Sequence, residues 1–190
     1  MTNQNLPRQL SSLRKSLFFL AGLGLLAAAP AALRGAETPG EFAKPTIDIG
    51  IVVSDAARTA AFLTNAIGFK EIAGFEVNAD LGRKIGLIEG HAVKVRMFVL
   101  GEGEQVTHIK ILSFPEAASK QPDQQTIHAT LGMRYLTLFV KDMNRALERL
   151  KAAKVPTLGE TPLDLGGGSY ITVVKDPDGN FIELIGPMKK

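Results

Sequence analysis

The sequence predicts an α+β fold made of two tandem βαβββ modules. Three observations carry this reading. A strand-then-helix pattern occurs twice, the two copies keep one offset, and strand-like segments follow each helix. In the first copy Ile47, Ile49, Ile51 and Val53 alternate, as a strand with one buried face requires. Asp55 then stands where a carboxylate can accept from the free N–H groups of a helix. Phe62, Leu63, Ala66 and Ile67 share one face of that helix, and Gly68 closes it. In the second copy Leu136, Leu138 and Val140 alternate from Tyr135 onward, Asp142 caps, and Met143, Ala146, Leu147 and Leu150 form the stripe. Val53, Asp55 and Arg58 recur as Val140, Asp142 and Arg145, each 87 positions later, which marks a duplication.

The returning strands are expected at Phe69–Val77, Ala92–Leu100 and Thr107–Ser113, then faintly around Thr157, at Tyr170–Val174 and at Phe181–Ile185. Asp176-Pro177-Asp178-Gly179-Asn180 predicts the turn before the last strand, with proline fixing φ and Asp-Gly supplying the corner. Asn78–Gly90 has Leu81, Ile85 and Leu87 at near-helical spacing and reads as a short helix or a lid. The Leu165–Ser169 run holds three glycines, but no lysine and no following helix complete a phosphate cradle, so a loop is expected.

Three basic residues, Arg8, Arg14 and Lys15, and no acid precede residue 32 of the 190-residue chain. The remainder holds 19 basic and 19 acidic residues, so the basic stripe that nucleic-acid binding needs has no support. Residues 1–31 read as a secretory leader: a basic start, an apolar run from Leu17 to Ala29, then Ala29-Pro30-Ala31 as a small-x-small cleavage site. An uncleaved anchor is the alternative, since Ser16–Leu33 is about as long as the shortest spanning helices, roughly 17 residues. Export to the periplasm or medium is expected, with residues 32–44 as a spacer, a first module at 45–116, a linker at 117–132 and a second module at 133–188. The chain has no cysteine, which excludes disulfides, thiolate metal sites and a cysteine nucleophile.

Ile47–Asp55 (IDIGIVVSD), the helix ending in Ile67-Gly68-Phe69 and Asp176–Leu184 (DPDGNFIEL) resemble the vicinal oxygen chelate superfamily, which includes glyoxalase, bleomycin-resistance and extradiol dioxygenase proteins. The resemblance runs from about Thr46 to Pro187. It implies that the two modules sit side by side, their sheets forming a half-open cup that holds a small molecule. It also admits a homodimer. Metal enzymes of this family carry ligands on the first and last strands of both modules. The matching positions here are Asp48, Tyr135, Lys110 and Glu183, of which only Glu183 has the expected ligand type. An ammonium repels a divalent ion, so no metal or other cofactor is expected, and a divalent metal is kept as the alternative.

Strand parity then lays out the expected cup. Asp48, His108, Lys110, Tyr135, Thr137, Phe139, Phe181 and Glu183 face inward, and on the third strand Val93, Val95, Met97 and Val99 are taken as helix-facing. That choice puts Lys94, Arg96 and Phe98 in the cup. The expected ligand contacts are Asp48, Arg96, His108, Lys110, Tyr135, Phe139 and Glu183, and carboxylated or phosphorylated aromatics should bind best. Lys110 and Glu183 are expected to form an ion pair across the modules. His91 and His128 read as surface residues.

Three function classes stay open. One is an exported, metal-free binding module for a polar or anionic aromatic molecule. Another is a lyase, isomerase or dioxygenase whose cation is held by Asp48, His108 and Glu183. The third uses Lys110 or Tyr135 as acid or base without metal.

Overall fold

A computed structural model describes Gly40 and residues 42–103, 105–117 and 119–189. The expected leader and most of the spacer after it lie outside the described residues. The first module contains β1 (Asp48–Val52), α1 (Ala56–Ala61), β2 (Lys70–Val77), α2 (Ala79–Lys84), β3 (Val93–Val99) and β4 (His108–Leu112). The second contains β5 (Tyr135–Phe139), α3 (Met143–Ala152), β6 (Leu163–Gly166), β7 (Ser169–Lys175) and β8 (Phe181–Pro187). Each module makes its own four-stranded sheet, in the orders β1-β4-β3-β2 and β5-β8-β7-β6. First and last strands pair in parallel, β1 with β4 and β5 with β8, and the other pairs are antiparallel. This is the α+β duplication that the sequence predicts.

Both expected helix starts are capped by aspartate. The Asp55 carboxylate accepts from the N–H groups of Ala57 (2.8 Å) and Arg58 (3.0 Å), and Asp142 from those of Asn144 (3.1 Å) and Arg145 (3.4 Å). Each cap is worth about 1 kcal/mol. After Ala61 the first helix widens into a π-helical turn over Phe62–Ile67, and Gly68 ends it at a φ of 98°. The segment after β2 does hold a short helix, α2, capped by Asn78 through the Leu81 N–H at 2.8 Å.

Two expectations shift. The faint strand near Thr157 lies instead at Leu163–Gly166, and the glycine run is a hairpin turn, not a loop. Gly167 and Gly168 have φ of 63° and 79°, and both positive values are what a two-residue turn between right-twisted strands demands.

One core cluster draws on both modules. Phe62, Leu63, Ala66, Ile67, Phe98, Ile109 and Ile111 from the first pack with Met143, Ala146, Leu150, Val174, Ile182 and Leu184 from the second. The helices form much of this seam, since the π-helical turn lies on α3 and Arg149 donates to the Ile67 carbonyl at 3.1 Å. A second tie comes from the predicted turn. Asp178 accepts from the Ser54 N–H at 3.1 Å and from the Ser54 hydroxyl, fixing the end of the second module to the β1–α1 junction of the first. The sheet faces turned away from the helices are left for other uses.

Candidate functional site

Directly paired residues share a sheet face, so the register assigns each side chain a side. Asp48 pairs with His108, Gly50 with Lys110 and Val52 with Leu112, while Lys110 pairs with Met97 and His108 with Val99. Ile109 and Ile111 are buried in the shared core, which fixes that side as the helix side. Asp48, His108 and Lys110 therefore lie on the open face.

There they meet. Asp48 Oδ1 is 2.7 Å from His108 Nδ1, and Asp48 Oδ2 is 2.8 Å from Lys110 Nζ. The hydrogen bond from Lys110, followed by that from His108, pulls the Asp48 carboxyl down to about 2. Asp48 is thus an anion at any physiological pH, and it fixes both partners. With Nδ1 donating to Asp48, a neutral His108 ring presents Nε2 as an acceptor. The surroundings are apolar. Lys110 Nζ lies 5.8 Å from the Phe75 ring centroid, and Val77, Val93 and Val95 form a buried cluster with Ile88, Met97, Leu112 and Phe114 against it.

The same register corrects the expected face of β3. Arg96 pairs with Ile111 and Phe98 with Ile109, so Lys94, Arg96 and Phe98 are on the helix side and the Val93, Val95, Met97 row is on the open face. Arg96 is not beside the Asp48 group. Its guanidinium holds Glu71 through two bonds of 2.6 and 2.8 Å and donates to the Ala56 carbonyl at 3.0 Å. Lys94, also exposed, stands opposite Glu76. The sequence reading assumed that an apolar row must face the helices. Here the open face has its own apolar cluster, with Ile88, Leu112 and Phe114 packed against the β3 row, while the helix side carries Lys94 and Arg96 beside Phe98, so the apolar row does not mark the helix side.

The expected Lys110–Glu183 pair is absent as well. Lys110 is engaged by Asp48 within its own module, and Glu183 Oε2 accepts from the Thr137 hydroxyl at 2.7 Å within the other. Tyr135, Thr137 and Phe139 share the open face of the second sheet with Phe181 and Glu183. Tyr135 is half exposed and Phe139 is 81% exposed. The seven expected contacts thus divide into Asp48, His108 and Lys110 in one network, Tyr135, Phe139 and Glu183 on the other sheet, and Arg96 on the helix side. Phe75 and Met97 border Lys110; Phe75 is not legible in the sequence because a bulge in β2 between Ile72 and Phe75 resets that strand's parity, and Met97 because its row on β3 reads as helix-facing.

A family model described as Glyoxalase/Bleomycin resistance protein/Dioxygenase superfamily matches residues 47–184. Among solved structures, a glyoxalase family protein from Bacillus cereus is similar, with a TM-score of 0.65 at 18% identity over 80% of this chain and 99% of that one. A glyoxylase/bleomycin resistance protein/dioxygenase domain from Frankia sp. EAN1pec has a TM-score of 0.54 at 15% identity, over 79% of this chain and 95% of that one. At these identities the likeness shows the fold alone. No curated protein matches the chain.

Proposed function

Because the chain belongs to the glyoxalase/bleomycin resistance protein/dioxygenase superfamily, we propose that it is a small-molecule-binding domain that works without a resident metal and holds a polar aromatic ligand against the open face of its first sheet. The observation that carries this reading is the Asp48–His108–Lys110 network, three polar groups oriented by one another at the edge of an apolar face. Such a surface offers flat contact for a ring together with a donor at Lys110 and an acceptor at His108 Nε2 for its oxygen substituents. The preference for anions is dropped, since Lys94 and Arg96 are on the far side and the Lys110 charge is balanced by Asp48.

A divalent ion, which the family implies, does not fit these residues. Asp48 and His108 offer two donors, but an ammonium 2.8 Å from the Asp48 carboxylate holds the place a cation would take. Among the described residues no group of three His, Cys, Asp or Glu comes together, and Glu183 is committed to Thr137. The test is a thermal-shift panel of neutral, carboxylated and cationic aromatics. Hydroxylated neutral aromatics should raise Tm, and Lys110→Met or His108→Phe should remove the gain. One equivalent of transition metal in the purified protein, lost in Asp48→Ala, would sink the reading.

Two further parts of the proposal have their own checks. Export rests on the leader pattern of residues 1–31, and N-terminal sequencing of extracytoplasmic material should begin near Ala32. Among the described residues no helix is long and apolar enough to cross a membrane. A homodimer is supported by the apolar surface at Met133 (80% exposed), Tyr135 and Phe139, which a second copy would remove from water. Sedimentation velocity giving only monomer at micromolar concentration would overturn it.

A further inference from the structure

A cleft of about 240 Å³ opens between β1 and β5, and we propose that it is a second binding site, for a small neutral ring compound bearing one hydroxyl group. Its walls come from both modules. Ile51 and Leu63 of the first face Leu136, Phe181 and Ile182 of the second, so most of the lining is apolar. The group that points to a ligand is Thr59, which also lines the cleft. Thr59 is 2% exposed, and among the described residues its hydroxyl has no hydrogen-bond partner. Protein interiors seldom leave such a group unpaired, because water is lost from it and nothing is gained in return.

The charged groups at the cleft, Asp176 and Arg134, are already hydrogen-bonded within the protein. Asp176 accepts from the N–H groups of Asp178 (2.9 Å) and Asn180 (2.8 Å) and from Asn180 Nδ2 at 2.8 Å. Arg134 donates to the Ile127 carbonyl at 3.1 Å, to the Asp123 carbonyl at 2.9 Å and to Gln124 Oε1 at 2.8 Å. One anion and one cation thus line the cleft, each held by internal hydrogen bonds, and the apolar walls between them favour a neutral occupant. A threonine hydroxyl both donates and accepts, so it matches an alcohol or phenol, which does the same. Size agrees. An apolar cavity of about 150 Å³ takes benzene, so this one suits a single substituted ring. Asp48, His108 and Lys110 are not among its lining residues, and the site does not depend on the function proposed above.

The experiment is a titration of the chain with phenol and with toluene, followed through the methyl NMR signals of Ile51, Leu63 and Leu136. Phenol should give saturable shifts and bind about fivefold more tightly than toluene, the ratio that one net hydrogen bond confers. Thr59→Val keeps the shape and should abolish that preference while toluene binding is unchanged. Thr59→Ser should keep it. No saturable shift with either compound would mean that the seam holds only water and would overturn the proposal. A phenol preference that survives Thr59→Val would overturn the role of the hydroxyl, and benzoate binding as well as phenol would overturn the neutral class.

Discussion

Phe98→Ala is expected to lower the free energy of unfolding by about 3–5 kcal/mol and to leave ligand-induced thermal shifts intact. Phe98 has no exposed surface, pairs directly with Ile109 and belongs to the core cluster that both modules share. Truncating it removes a ring from a close-packed interior, and the void cannot refill because its walls are strands held by their ladders. Two readings of β3 are thereby separated. A cup-lining phenylalanine would be partly exposed, so its loss would weaken ligand binding and cost little stability. Urea unfolding of the variant, with an unchanged m-value and a lowered midpoint, is the expected result. A loss below about 1 kcal/mol accompanied by loss of ligand response would restore the parity first read from the sequence.

Gly186→Ala should be among the most damaging single-methyl changes at the described residues. A Cβ at Gly186 would sit 2.1 Å from the Val140 carbonyl oxygen and 2.8 Å from Val140 Cγ2. The nearer atom is backbone, and it cannot swing aside, because the Val140 N–H is bonded to the Ile185 carbonyl at 2.8 Å. Relief requires β8 to part from the end of β5, so the cost should reach the upper end of the roughly 1–3 kcal/mol of overpacking or exceed it. Ser113 holds the corresponding place after β4 in the first module. Ser113→Ala is the control, expected within about 0.5 kcal/mol of the parent. Equal unfolding midpoints for the two variants would show that β8 has more room than this packing allows.

The asymmetry between these two positions illustrates what duplication does and does not carry. Both modules keep the aspartate cap, the apolar stripe and the parallel pairing of first and last strands, because each follows from local pattern. They differ wherever one module meets its own surroundings. Lys110 and Glu183 occupy matching places, yet one is taken by Asp48 across a β1–β4 pair and the other by Thr137 across β5–β8. Both side chains found a partner on the neighbouring strand. Thr137 stands directly opposite Glu183, about 5 Å away, and Asp48 lies diagonally from Lys110 within reach of a long side chain, so each costs less side-chain entropy than a partner in another module.

By itself the sequence determined the two βαβββ modules, the positions of the caps and of the Asp176–Asn180 turn, and the open-face placement of Asp48, His108 and Lys110. Each of these depends on residues a few positions apart, where period, capping chemistry and φ preference act directly. Only the tertiary structure decided that Arg96 and Phe98 point to the helices, that Lys110 belongs to Asp48, and that Thr59 lines a cleft between modules. Those outcomes turn on contacts between strands far apart in sequence. Alternation says that neighbours in a strand face opposite ways, but which way is set by what covers each face. On β3 the apolar row lies on the open face with Ile88 and Phe114, Phe98 enters the shared core on the other beside Arg96, and only the register with β4 tells the faces apart.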